Sequence, residues 1–136
     1  MIEHSPSRTR ALYIWEREVI EPASMQWRMS LAAAQRFTDS VWRSQGWSLR
    51  HSAPHLSLIP ETRKHSFCYG RADLFMRPQD LHPSLLLHEL AHARGYGEQG
   101  VEHSVGFMQT TVLLWSVYIG WDYSSLYGEA VVRGLL

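Results

Sequence analysis

One stretch in the second half of the chain combines side chains that bind metals with one that moves protons. Residues 85–107 read LLLHELAHARGYGEQGVEHSVGF, so His88 and His92 are four positions apart and Glu89 directly follows His88. On a helix, residues four apart lie on the same face, one turn from each other. Two imidazoles at that spacing can bind one zinc ion, and the adjacent glutamate can take a proton from a zinc-activated water. The stretch therefore predicts a zinc-hydrolase helix of the HExxH type.

A catalytic zinc site needs a third protein ligand and an open position for water. We predict His103, because the glycine-rich reversal GYGEQG lets the next helix run back beside the first and present its imidazole to the same ion. Two carboxylates remain as alternatives. Glu98 occupies the position of the last ligand in the longer metzincin pattern, and Glu102 is adjacent to His103. The predicted ligand set is His88, His92 and His103, with zinc as the metal.

The neighbouring residues indicate what the site could do. We expect Glu89 to act as general base towards the zinc-activated water, with a protein or peptide as substrate. The helix after the reversal would wall the site with Phe107, Thr110 and Leu114. A second hypothesis treats the zinc site as structural or vestigial in a phage- or plasmid-borne binding module, because 136 residues leave little room for a substrate cleft. Four protein ligands, or a Glu89 sealed from solvent, would favour that hypothesis.

Other polar residues are given roles by their place in the sequence alone. A donor to the reaction's oxyanion could come from Arg94, Tyr96, Tyr118 or Tyr123. Four further histidines share no ligand spacing with one another and are expected in surface or loop positions: His51, His55, His65 and His82. Asp73 or Asp80 could hold a ligand histidine, although solvation at the surface is the simpler expectation. Cys68 lies in a strand-like pattern and is expected to be a small core residue.

Hydrophobic periodicity predicts the elements that must position these groups. A first amphipathic helix covers 8–21, with Leu12, Trp15 and Val19 on one face, and ends at Pro22. The elements that follow are a helix over 31–45, two or three short strands within 55–61 and 65–78, the zinc-site helix over 84–94, and a last helix over 101–119. We expect Ser30 and Gly46 to cap the second helix and the strands to pair mostly antiparallel. This order predicts an α+β fold in one domain, residues 1–136.

Composition gives no support to several other classes of protein; a nucleic-acid-associated peptidase would rest on the analogy to a family alone. The 13 basic and 13 acidic residues cancel, so the chain has no basic footprint of the kind that nucleic-acid binding leaves. One cysteine allows neither an internal disulfide nor a cysteine zinc cluster. The N-terminus lacks the apolar region of a signal peptide, and the longest apolar stretch, 112–121, is too short to span a bilayer. We therefore expect a cytoplasmic protein without a membrane partner, in an oligomeric state that the sequence leaves open.

The zinc helix and its third histidine resemble the SprT-like metallopeptidases, and more closely a family of small zinc metallohydrolases from actinobacteria and their phages. The same family has a YxWE element, found here as Tyr13, Trp15 and Glu16 in RALYIWERE. It also has a tryptophan-containing segment after the second helix, here VWRSQGW, and a Gly-Arg-Ala strand start, here 70–72. The resemblance extends over residues 8–115.

The resemblance implies a zincin-like fold and a zinc-dependent hydrolase, in particular a peptidase, with the same three histidines as ligands and Glu89 as base. One segment departs from the family pattern. The family usually continues its third ligand as His-Gly-Pro-x-Phe, whereas this chain has His103 and Phe107 separated by Ser-Val-Gly. The resemblance does not imply a particular substrate.

Overall fold

The computed structural model of the chain describes residues 6–96 and 103–136 and has an α+β fold, as predicted. Its helices and strands, in chain order, are α1 (Pro6–Trp15), α2 (Glu21–Ser24), α3 (Leu31–Ser44), β1 (His55–Leu58), β2 (Phe67–Tyr69), β3 (Asp73–Met76), α4 (Pro83–Gly95), α5 (Val105–Ile119) and α6 (Tyr123–Val132). A π-helical turn, Glu16–Ile20, joins α1 to α2. The predicted zinc-site helix corresponds to α4, and α4 extends one residue further at each end than predicted.

The three strands form one mixed sheet in the order β1-β3-β2. β2 and β3 pair antiparallel through a turn at Gly70, whose φ of 67° lies in the region that favours glycine. β1 and β3 pair parallel, with Leu56 opposite Leu74. The expectation of antiparallel pairing is therefore wrong for the β1–β3 pair. The β2–β3 hairpin pairs with β1 through its second strand, β3, which runs in the same direction as β1.

α4 lies at the centre of the fold and packs against α2, α3, α5 and β2. The prediction of one buried and one open face is wrong for this helix, because neighbouring elements cover both of its sides and most of its residues are buried. Its leucines belong to a core that includes three tryptophans expected there, Trp15, Trp42 and Trp115. The Trp115 indole donates to the carbonyl of Ser84 at 3.0 Å, which ties α5 to the start of α4.

The first helix departs from its prediction at the π-helical turn. Val19, expected on the buried face, is 47% exposed, and Ile20 is buried instead. A π turn accommodates one residue more than an α turn, so the buried face moves by one position. The helical path also continues past Pro22, which was expected to end it. The wider turn, closed by the Glu21 N–H donating to the Glu16 carbonyl, gives the proline ring room.

The second and last helices agree more closely with the sequence. The Ser30 hydroxyl accepts from the Ala33 N–H at 3.1 Å, and Gly46 follows the end of α3 with a φ of 77°. α5 begins at Val105, and the predicted start at 101 lies outside the described residues. The residues after α5 form α6, a helix that begins at an Asp122 cap accepting from the Ser125 N–H at 2.9 Å. Within the described ranges, no helix has the length and apolar character needed to cross a bilayer.

Candidate metal centre

Three predicted ligands lie together, and we call His88, His92 and His103 the histidine cluster. α4 provides the first two, and the third lies just before α5, with one ring nitrogen from each residue within 4.8 Å of the others. The His92 and His103 Nε2 atoms are 3.1 Å apart. Two nitrogens bound to one tetrahedral zinc ion at about 2.0–2.1 Å would lie about 3.3 Å apart. The cluster therefore fits a zinc ion with little movement of the side chains.

The first turns of the chain hold the outer nitrogens of two of these rings. His88 Nδ1 lies 2.5 Å from the Glu16 carboxylate, and His103 Nδ1 lies 3.1 Å from the Thr9 hydroxyl. Each bond engages the nitrogen that points away from the cluster, so the Nε2 atoms are the ones available to a metal. The sequence motif gave no sign of Thr9, and Glu16 entered only as the last residue of the YxWE element.

His103 is held by its backbone as well as by its ring. Its φ of 55° lies in the left-handed region, which is uncommon for a residue with a side chain and often marks a functional position. The Arg8 guanidinium donates to the His103 carbonyl through Nε at 3.1 Å and Nη2 at 2.9 Å. The next residue, Ser104, caps α5 by accepting from the Phe107 N–H at 3.2 Å. A serine cap thus starts this helix where the family pattern has Gly-Pro.

Glu89 lies beside the histidine cluster, with Oε2 3.8 Å from His88 Nε2. The residue is 6% exposed, and its side chain keeps 9% of its surface accessible. This distance places the carboxylate next to any ion bound by the cluster without making it part of the three-histidine group. The arrangement matches the predicted place of a general base beside a metal.

The pKa values of the two α4 histidines are shifted in opposite directions. Burial lowers the pKa of His88, but the charge and hydrogen bond of Glu16, together with the charge of Glu89, outweigh it and raise the pKa to about 9. Burial and the neighbouring histidines His88 and His103 lower the pKa of His92 well below its usual value. His92 therefore keeps a free lone pair at neutral pH, whereas a cation arriving at the cluster would displace a proton from His88.

Phe107 forms the wall that was predicted from α5. Its ring stacks on His92 with centroids 4.2 Å apart and lies 5.2 Å from His88 and 5.1 Å from His103. Leu114, on the same helix, is fully buried in the core. An apolar ring against three imidazoles excludes water from one side and fixes their orientation.

Cys68 of β2 lies close enough to the site to sense its charge. Burial, then the Glu89 carboxylate, then Asp73 raise the pKa of its thiol to about 12. The thiol donates to the Gly70 carbonyl at 2.9 Å. Cys68 is partly buried against the core, which agrees with the small core residue predicted for it.

Two of the other predicted candidates, Tyr118 and Tyr123, make their contacts elsewhere in the fold. Glu98 and Glu102, the alternative third ligands, lie outside the described residues. The Tyr118 hydroxyl is bonded to Ser44 and Gln45 at the end of α3, and the ring of Tyr123 packs on Tyr127. The tyrosine that does contact the cluster was not among the oxyanion candidates: Tyr13 of α1, whose ring lies 5.6 Å from that of His103.

A second group brings together Asp80 and His82, which are buried just before α4, and the half-buried Glu21 of α2; we call it the acidic cluster. Its ligand atoms also lie within 4.8 Å of one another. His82 is 1% exposed and Asp80 is 2% exposed, so the surface positions expected for both are wrong. The expectation is confirmed for the other three histidines, which are exposed: His51, His55 and His65.

The partners of the acidic cluster explain why these residues are buried. Arg77 donates to both oxygens of Asp80, at 2.7 and 3.0 Å, and the Ser66 hydroxyl donates to one of them at 2.6 Å. His82 Nδ1 is 2.9 Å from the Ser24 hydroxyl. Burial lowers the pKa of His82 to about 4, so the ring is neutral at pH 7. The cluster already contains its own cation, which fits a structural role.

Comparisons of the chain with models of protein families, with curated proteins and with solved structures found no match. The description of the protein therefore rests on its fold and its site: an α+β chain that brings three imidazoles together beside Glu89 of the central helix α4. The likeness to SprT-like metallopeptidases stays a prediction from the motif.

Proposed function

We propose that the chain is a zinc-dependent hydrolase, specifically a peptidase of the SprT-like type that works in the cytoplasm. His88, His92 and His103 would hold the ion. The observation that carries the proposal is the convergence of three imidazoles, with the His92 and His103 Nε2 atoms 3.1 Å apart and Nδ1 of His88 and His103 bonded to Glu16 and Thr9. Three protein ligands with one position left for water are the usual composition of a catalytic zinc site.

The chain's own residues supply the proton transfer. A bound zinc ion would act as a Lewis acid that polarises a carbonyl and makes a neighbouring water more acidic. Glu89, whose carboxylate lies 3.8 Å from His88 Nε2, would take the proton of that water and deliver it to the leaving amine. Glu16 keeps His88 oriented throughout, and Phe107 shields one side of the site.

The position of the sheet supports a peptide as substrate. β3 is the inner strand of the described sheet, and β2 is one of its two edge strands. β2 packs on α4, and its Cys68 senses the charge of Glu89. An extended peptide could add to this edge by backbone hydrogen bonds and pass beside the site.

One observation favours the alternative of a binding module with a structural or vestigial zinc site. Glu89 is 6% exposed, which is little for a residue that must reach a substrate. The accessible 9% of its side chain still leaves a path for water. Activity therefore has to decide between the two proposals, because metal content is the same in both.

The deciding experiment compares Glu89→Gln with the wild-type chain and with Glu18→Gln, an exposed glutamate on the first helical segment. Zinc per chain is measured by elemental analysis, and turnover is measured on casein and on a peptide library. We expect one zinc in all three proteins and a loss of at least about a hundredfold in turnover for Glu89→Gln alone, as for removal of a general base.

Two results would contradict the proposal. Full turnover in Glu89→Gln would remove Glu89 from its role as base. A zinc-loaded wild-type chain that cleaves none of the substrates would favour the binding module.

A further inference from the structure

The geometry points to α1 and the π-helical turn after it as the segment that positions the metal ligands: we propose that Glu16 and Thr9 set the tautomer and orientation of His88 and His103. The inference rests on the proposed metal binding by the histidine cluster and extends it to residues outside the zinc motif. Both are positioning residues, because each touches a ligand ring and neither belongs to the group of ligand atoms.

The burial of Glu16 is the first argument. The residue is 2% exposed, and a buried glutamate is rare unless it is paired. Its partner is His88, 72 residues away in sequence and 3% exposed, with 2.5 Å between carboxylate oxygen and Nδ1. A charged hydrogen bond between two buried groups fixes the ring plane and raises the basicity of the opposite nitrogen.

The helix geometry is the second argument. Thr9 of α1 and Glu16 are seven residues apart, a spacing that places them on one face of the helical path that continues from α1. Tyr13 lies between them on that face, and its ring contacts His103. The π-helical turn begins at Glu16, and π turns inside helices occur frequently at functional sites. This face of the first helical segment thus contacts the cluster through residues of two successive turns.

Imidazole chemistry gives the consequence. A neutral ring carries one N–H, and a metal can bind only the nitrogen without it. When Nδ1–H donates to the Glu16 carboxylate or to the Thr9 hydroxyl oxygen, the lone pair must be on Nε2, which faces the cluster. Without these acceptors the other tautomer becomes accessible, and a fraction of the molecules presents a donor where the metal needs an acceptor.

Paired variants separate positioning from folding. Glu16→Gln keeps the shape and removes the charge, and Glu18→Gln is the control on the same segment, where the side chain is exposed. Thr9→Val removes the hydroxyl at nearly constant volume, and Thr9→Ser restores it. Zinc affinity is measured by competition with a chromophoric chelator, ligand geometry by the visible absorption of the cobalt-substituted protein, and folding by circular dichroism.

We expect Glu16→Gln to weaken zinc binding about 10- to 100-fold and Thr9→Val about tenfold, the range found for lost outer-shell partners. Both should change the cobalt spectrum, whereas Thr9→Ser and Glu18→Gln should match the wild type. If Glu16→Gln fails to fold, the Thr9 pair gives the answer by itself. Nitrogen-15 spectra of the zinc-loaded wild type should show a protonated Nδ1 on His88 and His103.

Unchanged affinity and unchanged cobalt spectra in Glu16→Gln and Thr9→Val would overturn the inference, as would a metal-bound Nδ1 in the nitrogen spectra. These results differ from a failure of the proposed enzyme, in which the wild type and Glu89→Gln bind zinc equally but neither shows turnover. A wild-type chain without zinc affinity would end both.

Discussion

Two buried clusters of polar side chains lie along the same helix and meet the same distance criterion for holding a metal. The histidine cluster is built around the middle of α4, and the acidic cluster lies just before its first residue. In both, three potential ligand atoms are within 4.8 Å of one another. Distance alone therefore does not separate a metal site from a structural network in this molecule.

The partners of each cluster do separate them. In the acidic cluster, Asp80 is already paired with the Arg77 guanidinium through both of its oxygens. Burial, followed by the charges of Glu16 and Asp80, raises the pKa of Glu21. In the histidine cluster, the His92 and His103 Nε2 atoms face each other. Two nitrogen lone pairs in this arrangement are compensated by a shared cation or proton. Charge compensation, rather than proximity, is the more informative signal.

The largest expected effect is the difference in zinc binding between the two clusters. His92→Ala should lose the zinc, with affinity falling by more than about a hundredfold, since loss of an outer-shell partner alone costs about 10- to 100-fold. His82→Asn should keep one zinc per chain, because its cluster has a cation already. Elemental analysis after dialysis, followed by chelator competition, measures both.

The asparagine is chosen because its amide can replace His82 Nδ1 in the bond to Ser24. Two zinc ions in the wild type, with one lost in His82→Asn, would contradict the distinction between the clusters. Retention of zinc at full affinity in His92→Ala would remove the histidine cluster as the metal site.

The next effect is a loss of folding stability, which we expect from a substitution in the acidic cluster alone. Arg77→Met leaves the buried Asp80 carboxylate without its cation, and we expect unfolding to require about 3 kcal/mol less, the lower end for a broken buried pair. The lower end applies because the Arg77 side chain keeps 21% of its surface exposed. Urea unfolding at pH 7 measures the change, and Arg36→Met, at an exposed position of α3, is the control.

Zinc affinity should not change in Arg77→Met, since the pair is not part of the histidine cluster. A loss of zinc together with stability would mean that the two clusters form one site, contrary to the difference in their partners.

The sequence predicted the inner layer of the histidine cluster because that layer depends on local spacing. His88 and His92 are brought together by one turn of helix, and His103 by a short connection between consecutive helices. The same local rules predicted the caps at Ser30 and Gly46. Each of these features is decided within a few residues of chain, where propensity and periodicity are informative.

The outer layer could not be predicted in this way, because its partners are far apart in sequence. Glu16 reaches His88 across 72 residues of sequence, and the π-helical turn changes which residues are buried, exchanging Val19 for Ile20. A regular 3.6-residue period cannot indicate that exchange. His82 was assigned to the surface for a related reason: a lone histidine in a polar loop gives no sign of the Ser24 hydroxyl that it meets in the fold.

The smallest effect is a dependence of stability on pH that arises in the acidic cluster. The pKa of His82 is lowered to about 4 by burial, while in the unfolded chain it is about 6.5. Above pH 6.5 neither state binds the proton and the residue contributes no pH dependence. As the pH falls from 6.5 towards 4, the unfolded chain takes up a proton that the folded chain excludes, so stability decreases.

The full shift corresponds to at most about 3 kcal/mol, since one pKa unit is about 1.36 kcal/mol, and we expect about 2 kcal/mol after local relaxation. Urea unfolding at pH 7, 5.5 and 4.5, with a chelator present, should show a smaller decrease in His82→Asn than in the wild type. The chelator keeps zinc binding from adding its own pH dependence, and every other titrating group is common to both proteins. Equal decreases in the two would mean that His82 is protonated in the folded state, which would leave the acidic cluster with a second cation beside Arg77.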